Sequence, residues 1–173
     1  EHSILESWLA AVAQAKSFIF IEDQYFRSPL LTDAITARMN AVPDLKLVVI
    51  TKPVSEWTDP ACYWSAHLHN NLKARFPGRY RLYQLRSFDT APSFGIDETA
   101  GVFADIDVHS KMLIIDDLYM SVGSANKNNR GVLYESEMNV AIVDPVWVKN
   151  ARRRIFANLF GSAAFATDDV GVW

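Results

Sequence analysis

The chain has 173 residues, of which half are apolar and 21% charged, and its net charge is −3. This length suits one domain with its own core, and the acidic balance argues against a nonspecific nucleic-acid binder covered in basic residues. The single cysteine, Cys62, excludes an internal disulfide and a cysteine-based zinc site. No apolar run approaches the roughly 18 residues that a transmembrane helix needs. We therefore expect a soluble or peripheral membrane protein, with its compartment left open.

Helical and strand-like segments alternate along the chain. We predict helices over 3–15 (with Ser3 as N-cap), 30–41, 60–76 and 145–160, and strands over 18–26, 46–51, 79–85, 109–115, 118–123 and 137–143. Residues 86–107 show no period and are predicted to form a long loop. Because the sequence shows no repeat or linker, residues 1–173 are predicted to form one domain. We expect an α/β protein, a three-layer α/β/α sandwich. Its β-sheet should be mixed, since the hairpin at Asp116-Asp117 adds antiparallel strands.

The strongest chemical signal lies between residues 108 and 137. His109 and Lys111 are two apart on a predicted strand, so they share one face of it. A histidine can donate, accept or attack near neutral pH, and a nearby lysine supplies a positive charge, which together suit a phosphate. Ser124 and Asn126 offer further hydrogen-bond donors, and Glu137 could hold the imidazole.

Each part of this stretch has an ordinary explanation when it is taken alone. An H-x-K pair on a strand is usually a surface pair, Asp116-Asp117 is typical of a hairpin turn, and "GSANKNN" is typical of a polar loop. Their joint spacing is H-x-K-x4-D-x6-G-S-x-N. This pattern resembles the catalytic motif of the phospholipase D superfamily. The matching positions are His109, Lys111, Asp116, Gly123, Ser124 and Asn126, with Glu137 at the place of the acidic residue downstream. Residues 1–26, which end in "IEDQYF", also resemble the segment that precedes the second motif in two-motif members.

The resemblance implies phosphodiester chemistry in two steps without a metal or other cofactor. One histidine attacks phosphorus to form a phosphohistidine, a second protonates the leaving alcohol, and water or another alcohol then resolves the intermediate. A single imidazole cannot act on both sides of phosphorus. The family combines two copies of the motif, and within it Asp116 is counted as a motif residue.

This sequence has only one H-x-K. Either the first motif lies upstream on a longer chain, of which this is a fragment, or two chains each give one motif across a two-fold axis. The N-terminal resemblance favours the fragment, in which His109 is the general acid. His67 and His69 lie on a predicted helix and point in different directions, so that a metal site from them is the weaker interpretation.

Four further residues lie in or near the predicted site. Strand parity turns Asp116 away from His109 or into the turn, where we expect it to bond backbone. Gln24, at the polar end of a strand, is a candidate for substrate binding, and Lys127 is expected with Arg130 at the mouth of the site or on the plain surface.

The resemblance favours phospholipid headgroups as substrate, by hydrolysis or phosphatidyl transfer, with peripheral membrane contact. Aromatic residues in or near the predicted loops around the site support a lipid interface, although aromatics are more often core; they are Trp57, Trp64, Phe88, Phe94 and Phe103. The acidic balance makes nucleic acid the less favoured partner. Two alternatives stay open: a homodimeric metal-independent nuclease of the same superfamily, and a non-catalytic half that binds phosphate.

Overall fold

The computed structural model describes residues 2–53, 61–89, 102–161, 166–171 and 173. In chain order its elements are α1 (Ser3–Gln14), β1 (Phe18–Asp23), α2 (Pro29–Ala41), β2 (Lys46–Ile50), α3 (Ala61–Arg75), β3 (Tyr80–Tyr83), β4 (Arg86–Asp89), β5 (Val102–Asp105), β6 (Lys111–Ile115), β7 (Tyr119–Gly123), a π-helical turn (Arg130–Tyr134), β8 (Asn139–Val143) and α4 (Pro145–Leu159). No helix in this described part is long and apolar enough to cross a membrane.

Six strands form one mixed sheet in the order β3-β2-β1-β6-β7-β8. β1, β2 and β3 run parallel, whereas β6, β7 and β8 each run antiparallel to the strand before them in this order. The parallel strands are connected through helices, and the antiparallel ones by a hairpin and a longer loop, as each pairing requires. The predicted mixed sheet is confirmed.

The two faces of the sheet carry separate apolar clusters. On one face, the strands pack against residues of α1, α2 and α3, such as Trp8, Ile35 and Leu72. On the other face, α4 packs through Val148 and Phe156 against strand residues and Trp173. Helices therefore cover both faces, and the predicted three-layer α/β/α sandwich is confirmed.

Several predicted boundaries are wrong in detail. Ser3 is the first residue of α1 rather than its cap, and the N-cap His2 makes no side-chain bond. β1 ends at Asp23, three residues before the predicted end. The segment predicted as a loop over 86–107 contains a ribbon of its own, in which β4 pairs antiparallel with β5. Trp57 and Phe94 lie outside the described residues.

The turn between β6 and β7 is tied to α4. Asp116 and Asp117 both have positive φ, 53° and 56°, a conformation that aspartate tolerates better than most residues, and the Leu118 N–H donates to the Ile115 carbonyl over 2.9 Å. The Asp117 carboxylate accepts two hydrogen bonds from the buried Arg152, over 2.8 and 2.7 Å. Arg152 also donates to Asp168, so that the hairpin and the C-terminal segment are held to one side chain of α4.

Candidate active site

Four strand ends meet at one edge of the large sheet. β1 and β7 end there, at Asp23 and Gly123, and β6 and β8 begin there, at Lys111 and Asn139. The register pairs Asp23 with Lys111 and Gly123 with Asn139. Antiparallel pairing thus returns the chain to the same edge after the hairpin. It brings Lys111 close to the Gly123–Asn126 part of the motif, although eleven residues of β6, the turn and β7 separate Lys111 from Gly123 along the chain.

Lys111 and His109 occupy this edge in different ways. Lys111 is buried, whereas His109 precedes the strand and is exposed. Lys111 Nζ donates a hydrogen bond to the His109 carbonyl oxygen over 2.6 Å, which ties the lysine to the backbone of the histidine. Across the described ranges, the His109 ring makes no hydrogen bond. The predicted strand start at His109 is wrong, because β6 begins at Lys111, and strand alternation therefore does not fix the direction of the ring.

Sequence reasoning missed a buried ion pair beside Lys111. Lys127 was expected at the mouth or on the surface, but it is fully buried, with its Nζ 3.1 Å from Asp23 Oδ2. The Lys127 backbone N–H donates to the same oxygen over 3.0 Å, and Tyr25 N–H donates to the other over 2.8 Å. Lys127 Nζ also lies 4.7 Å from the centroid of the Trp8 ring. These contacts fasten the loop after β7 to the end of β1.

Two like charges at this edge influence each other. Burial lowers the pKa of Lys127, and the positive charge of Lys111 acts in the same direction, while Asp23 opposes both. Burial also raises the pKa of Glu22, although a hydrogen bond from Ser110 and the positive charge of Lys127 both act to lower it. The edge thus carries two lysines and two carboxylates close together. No local pattern in the sequence showed that Glu22, Asp23 and Lys127 would meet there.

The turn after β7 closes against the start of β8. Ser124 N–H donates to the Met138 carbonyl over 3.0 Å, and Ser124 Oγ accepts the Met138 N–H over 3.0 Å. A Cβ on Gly123 would lie 2.2 Å from the Met138 carbonyl oxygen, and one on Gly131 would lie 2.5 Å from the Asn126 carbonyl oxygen. Glycine at both positions therefore permits these close backbone contacts. In this structure the Ser124 hydroxyl serves the turn.

Asn126 keeps unused hydrogen-bonding capacity. Its Oδ1 is buried and has no hydrogen-bond partner among the described residues. A buried polar atom without a partner is rare in native proteins and invites a ligand or water. Because an asparagine amide can present either its oxygen or its NH2 group at one position, Asn126 is suited to bind a ligand at this edge.

The structure does not bring Glu137 into hydrogen-bond contact with His109. Glu137 is half-buried and lines a cavity of about 340 Å³ together with the first turn of α1, including His2 and Ser3. Neither the His109 ring nor the Glu137 carboxylate has a hydrogen-bond partner in the described part of the chain. An orienting role for Glu137 stays a prediction.

Asp116 lies at the opposite end of β6 from His109. Its carboxylate accepts three backbone hydrogen bonds, from the N–H groups of Lys16, Ser17 and Phe18, over 2.6 to 2.8 Å. These bonds fix the connection between α1 and β1 to the hairpin. Asp116 therefore bonds backbone groups, as predicted. These groups belong to the α1–β1 connection, whereas the prediction was backbone of the hairpin itself. The structure gives Asp116 a positioning role at a distance from the reactive edge.

Gln24 follows the last residue of β1 and is half-buried at the edge. Its carbonyl oxygen accepts a hydrogen bond from Thr51 Oγ1 over 3.2 Å, which joins the ends of β1 and β2. Its side chain has no hydrogen-bond partner within the described ranges. Gln24 thus lies where the prediction put it, with its substrate-binding role still a prediction.

His67 and His69 do not converge on a common point. His69 is buried and its Nδ1 bonds the Tyr80 hydroxyl, while His67 is exposed and bonds Asn71 over 3.0 Å. The described residues contain no group of three or more His, Cys, Asp or Glu side chains placed to hold a metal ion.

The fold agrees with comparisons to known proteins. Residues 9–159 match the family model described as "Cardiolipin synthase, PLD-like domain", and the chain therefore belongs to this phospholipase D-like family. Among curated relatives, phospholipase D zeta 1 of Arabidopsis thaliana is 26% identical over 182 residues, covering 83% of this chain. The chain spans only 16% of that relative's length.

Solved structures share the fold at low identity. NucT from Helicobacter pylori has a TM-score of 0.65 at 18% identity, covering 92% of this chain and 89% of its own. Nuc from Salmonella typhimurium, a phospholipase D family member, has a TM-score of 0.60 at 17% identity, covering 91% and 86%. Phosphatidylserine synthase from Haemophilus influenzae Rd KW20 has a TM-score of 0.57 at 16% identity, covering 88% of this chain but 34% of its own.

Proposed function

We propose that this chain supplies one half of a phosphodiester-transfer site that acts on phospholipid headgroups through a phosphohistidine. The observation that carries this proposal is that the exposed His109 lies beside the buried Lys111 at one sheet edge. Lys111 Nζ donates to the His109 carbonyl oxygen, and the His109 ring has no hydrogen-bond partner among the described residues. Membership of the phospholipase D-like family supports the reaction class. The site is proposed to work without a metal, because lysine and histidine supply the positive charge that a phosphate requires.

The roles follow from the chemistry of each group. Lys111 neutralises a phosphate oxygen, and Asn126 donates a hydrogen bond to another. In the first step, one histidine nitrogen attacks phosphorus, and the ester oxygen leaves with a proton from the second histidine. In the second step, water or an alcohol attacks phosphorus and displaces the first histidine. His109 is proposed as the acid when the partner motif lies upstream on the same chain. Glu137 would stabilise its imidazolium form once the second half is in place.

The second half is proposed to cover an exposed apolar surface around β8. β8 is an edge strand, and such edges are normally covered or charged. The large apolar side chains exposed on or beside it are Tyr134 (79%), Met138 (79%), Val140 (59%) and Val143 (79%). Because β8 begins at the reactive edge, a partner seated there would bring its own motif close to His109.

A lipid substrate is supported by aromatic side chains outside the core. Phe88 and Phe103 face each other across the β4–β5 ribbon with ring centroids 5.0 Å apart, and they are 57% and 64% exposed. Exposed aromatics of this kind suit the boundary between water and a bilayer. They support a peripheral contact with the membrane that holds the substrate.

The experiment measures turnover of phosphatidylglycerol vesicles by the chain, with and without a primary alcohol, in excess chelator. The molar mass in solution is first determined by light scattering. If the molar mass is near twice 19.5 kDa, the chain pairs, and we expect it to release headgroup and form the transfer product. The His109→Ala variant is expected to do neither. Loss of turnover with chelator that a divalent cation restores, or full turnover by His109→Ala, would contradict the proposal.

If the chain is monomeric, the same proposal is tested by binding. Tungstate, a phosphate mimic, is expected to bind the wild-type chain, and Lys111→Met is expected to lose that binding. Arg154→Gln removes a positive charge from an exposed position on α4 and serves as the matched control. Equal tungstate binding by all three proteins would show that Lys111 does not form a phosphate site.

The second candidate is a homodimeric nuclease of the same superfamily. It is favoured by the end-to-end structural match with NucT and Nuc, since about nine tenths of this chain and of each of those chains correspond. It predicts chelator-resistant cleavage of DNA that weakens steeply with salt. A non-catalytic phosphate-binding half would instead bind tungstate in both wild-type and His109→Ala chains and turn over neither substrate.

A further inference from the structure

A second cavity lies between α2, α3 and the segment 128–130, which follows the Ser124–Asn126 turn and Lys127. Its volume is about 680 Å³, within the range of about 300–1,000 Å³ for small-molecule sites. None of His109, Lys111, Ser124 or Asn126 lines it. It is therefore a feature separate from the site described above.

The cavity combines an apolar wall with a basic rim. Its apolar side chains are Pro29, Trp64, Leu68 and Leu72, and its charged or titratable ones are Arg27, Asp33, His67, Arg75 and Arg130. With Glu135, which pairs with Arg130, three arginines and two carboxylates lie at this cavity, a local excess of one positive charge although the whole chain is acidic. This local excess of positive charge selects for an anion.

The arginines are held at the rim by their neighbours. The Arg27 guanidinium lies 4.6 Å from the centroid of the Tyr25 ring, and that of Arg75 lies 5.8 Å from the centroid of the Phe76 ring. Arg130, 77% exposed at its side chain, pairs with Glu135 over 2.5 Å. Arginine forks bind phosphate and carboxylate groups with two parallel hydrogen bonds, so this rim fits one such head group.

We propose that this cavity binds one amphiphilic anion of the lipid class, with a phosphate head on the arginine rim and an apolar tail along Leu68 and Leu72. A free inorganic anion would leave the apolar wall unused, whereas an acyl tail gains affinity from each CH2 group that it buries against that wall. The exposed Trp64, at 62%, extends the apolar wall toward solvent.

The cavity is joined to the loop that carries the motif. The backbone N–H groups of Arg27 and Ser28 both donate to the Lys127 carbonyl over 2.9 Å. Asn128, in the cavity wall, directly follows this lysine, whose side chain is bound to Asp23. A ligand in the cavity therefore contacts the segment that leads out of the Ser124–Asn126 turn. The proposal does not depend on turnover and can hold even if the proposed function fails.

The test is calorimetric titration of the chain with dihexanoyl phosphatidic acid below its aggregation concentration. Dihexanoylglycerol lacks the phosphate and therefore measures binding through the tail alone. Inorganic phosphate lacks the tail and measures binding through the head group alone. We expect the amphiphile to bind at least tenfold more tightly than either. Binding of inorganic phosphate as tight as that of the amphiphile, or no binding of the amphiphile, would overturn the proposal.

Variants locate the binding. Arg75→Gln/Arg130→Gln is expected to weaken binding at least tenfold, whereas the control Arg81→Gln/Arg154→Gln, with the same loss of charge at exposed positions outside the cavity, is expected to bind like wild type. Thr36→Trp, which fills the cavity from α2, should also abolish binding. His109→Ala should leave it unchanged. Equal binding by both double variants, or loss of binding in His109→Ala, would contradict a separate site.

Discussion

Lys127 Nζ lies 3.1 Å from Asp23 Oδ2, and both side chains are fully buried. Removing one partner of a buried ion pair leaves an uncompensated charge and typically costs about 3–5 kcal/mol, whereas replacing both is often close to neutral. We expect Lys127→Met and Asp23→Asn each to lower the free energy of unfolding by an amount of this order. The double variant should lose clearly less than the sum of the two.

Urea unfolding of the wild type, the two single variants and the double variant measures this coupling. An exposed pair provides the control: Arg86 and Asp105 lie 2.8 Å apart with side chains 55% and 41% exposed, and a cycle on them should give a coupling of about 1 kcal/mol or less. Additive losses at Asp23 and Lys127 would show that the buried pair does not act as a unit.

Asp116 is expected to matter for stability rather than for phosphate binding. Asparagine tolerates the positive φ at this position but leaves a single acceptor oxygen for the three N–H groups of Lys16, Ser17 and Phe18. Asp116→Asn should therefore lower the free energy of unfolding by about 1–3 kcal/mol, while tungstate binding by the folded protein stays within twofold of wild type. Lost tungstate binding in a fully folded variant would give Asp116 a direct role at the site.

Burial of His69 is expected to make the free energy of unfolding depend on pH. Burial lowers its pKa from 6.5 to about 4, so the unfolded chain binds a proton between these values that the folded chain does not. The free energy of unfolding should therefore fall as pH drops from about 6.5 to about 4, by up to about 3 kcal/mol from this residue, and show no contribution from it above that window. His69→Gln should flatten the slope.

Denaturant unfolding at half-unit pH steps measures that slope. His67→Gln is the matched control, because His67 lies two residues away on the same helix and is exposed. It should leave the pH dependence as in wild type. If His69→Gln and wild type lose stability in parallel between pH 6.5 and 4, the buried imidazole is not the cause.

Gly123 is expected to accept no side chain. A Cβ there would lie 2.2 Å from the Met138 carbonyl oxygen and 2.5 Å from Asn139 Oδ1, so Gly123→Ala should force β8 away from the turn at a cost of about 1–3 kcal/mol. Hydrogen exchange at the amides of Ser124 and Met138 should accelerate in this variant. Gly78→Ala strains the backbone at a φ of +77° but places nothing within 4 Å of the added Cβ, so that exchange at those two amides should stay unchanged.

The sequence by itself determined the sandwich and the motif. Short apolar runs placed most strands of the large sheet, because a strand covered by helices on both faces is apolar at consecutive positions. Fixed gaps singled out His109, Lys111, Ser124 and Asn126 through their resemblance to the phospholipase D motif. The β4–β5 ribbon was missed, because a short ribbon outside the main core needs no strong apolar pattern.

Only the tertiary structure decided which polar groups are buried together. Asp23 and Lys127 are 104 positions apart along the chain, and nothing in either local pattern distinguishes a buried lysine from a surface one. The same holds for the cavity between α2 and α3, whose walls come from three separate segments. Burial and ion pairing depend on distances between segments that register and helix packing set, whereas local sequence determines only the period of each segment and the chemistry of its side chains.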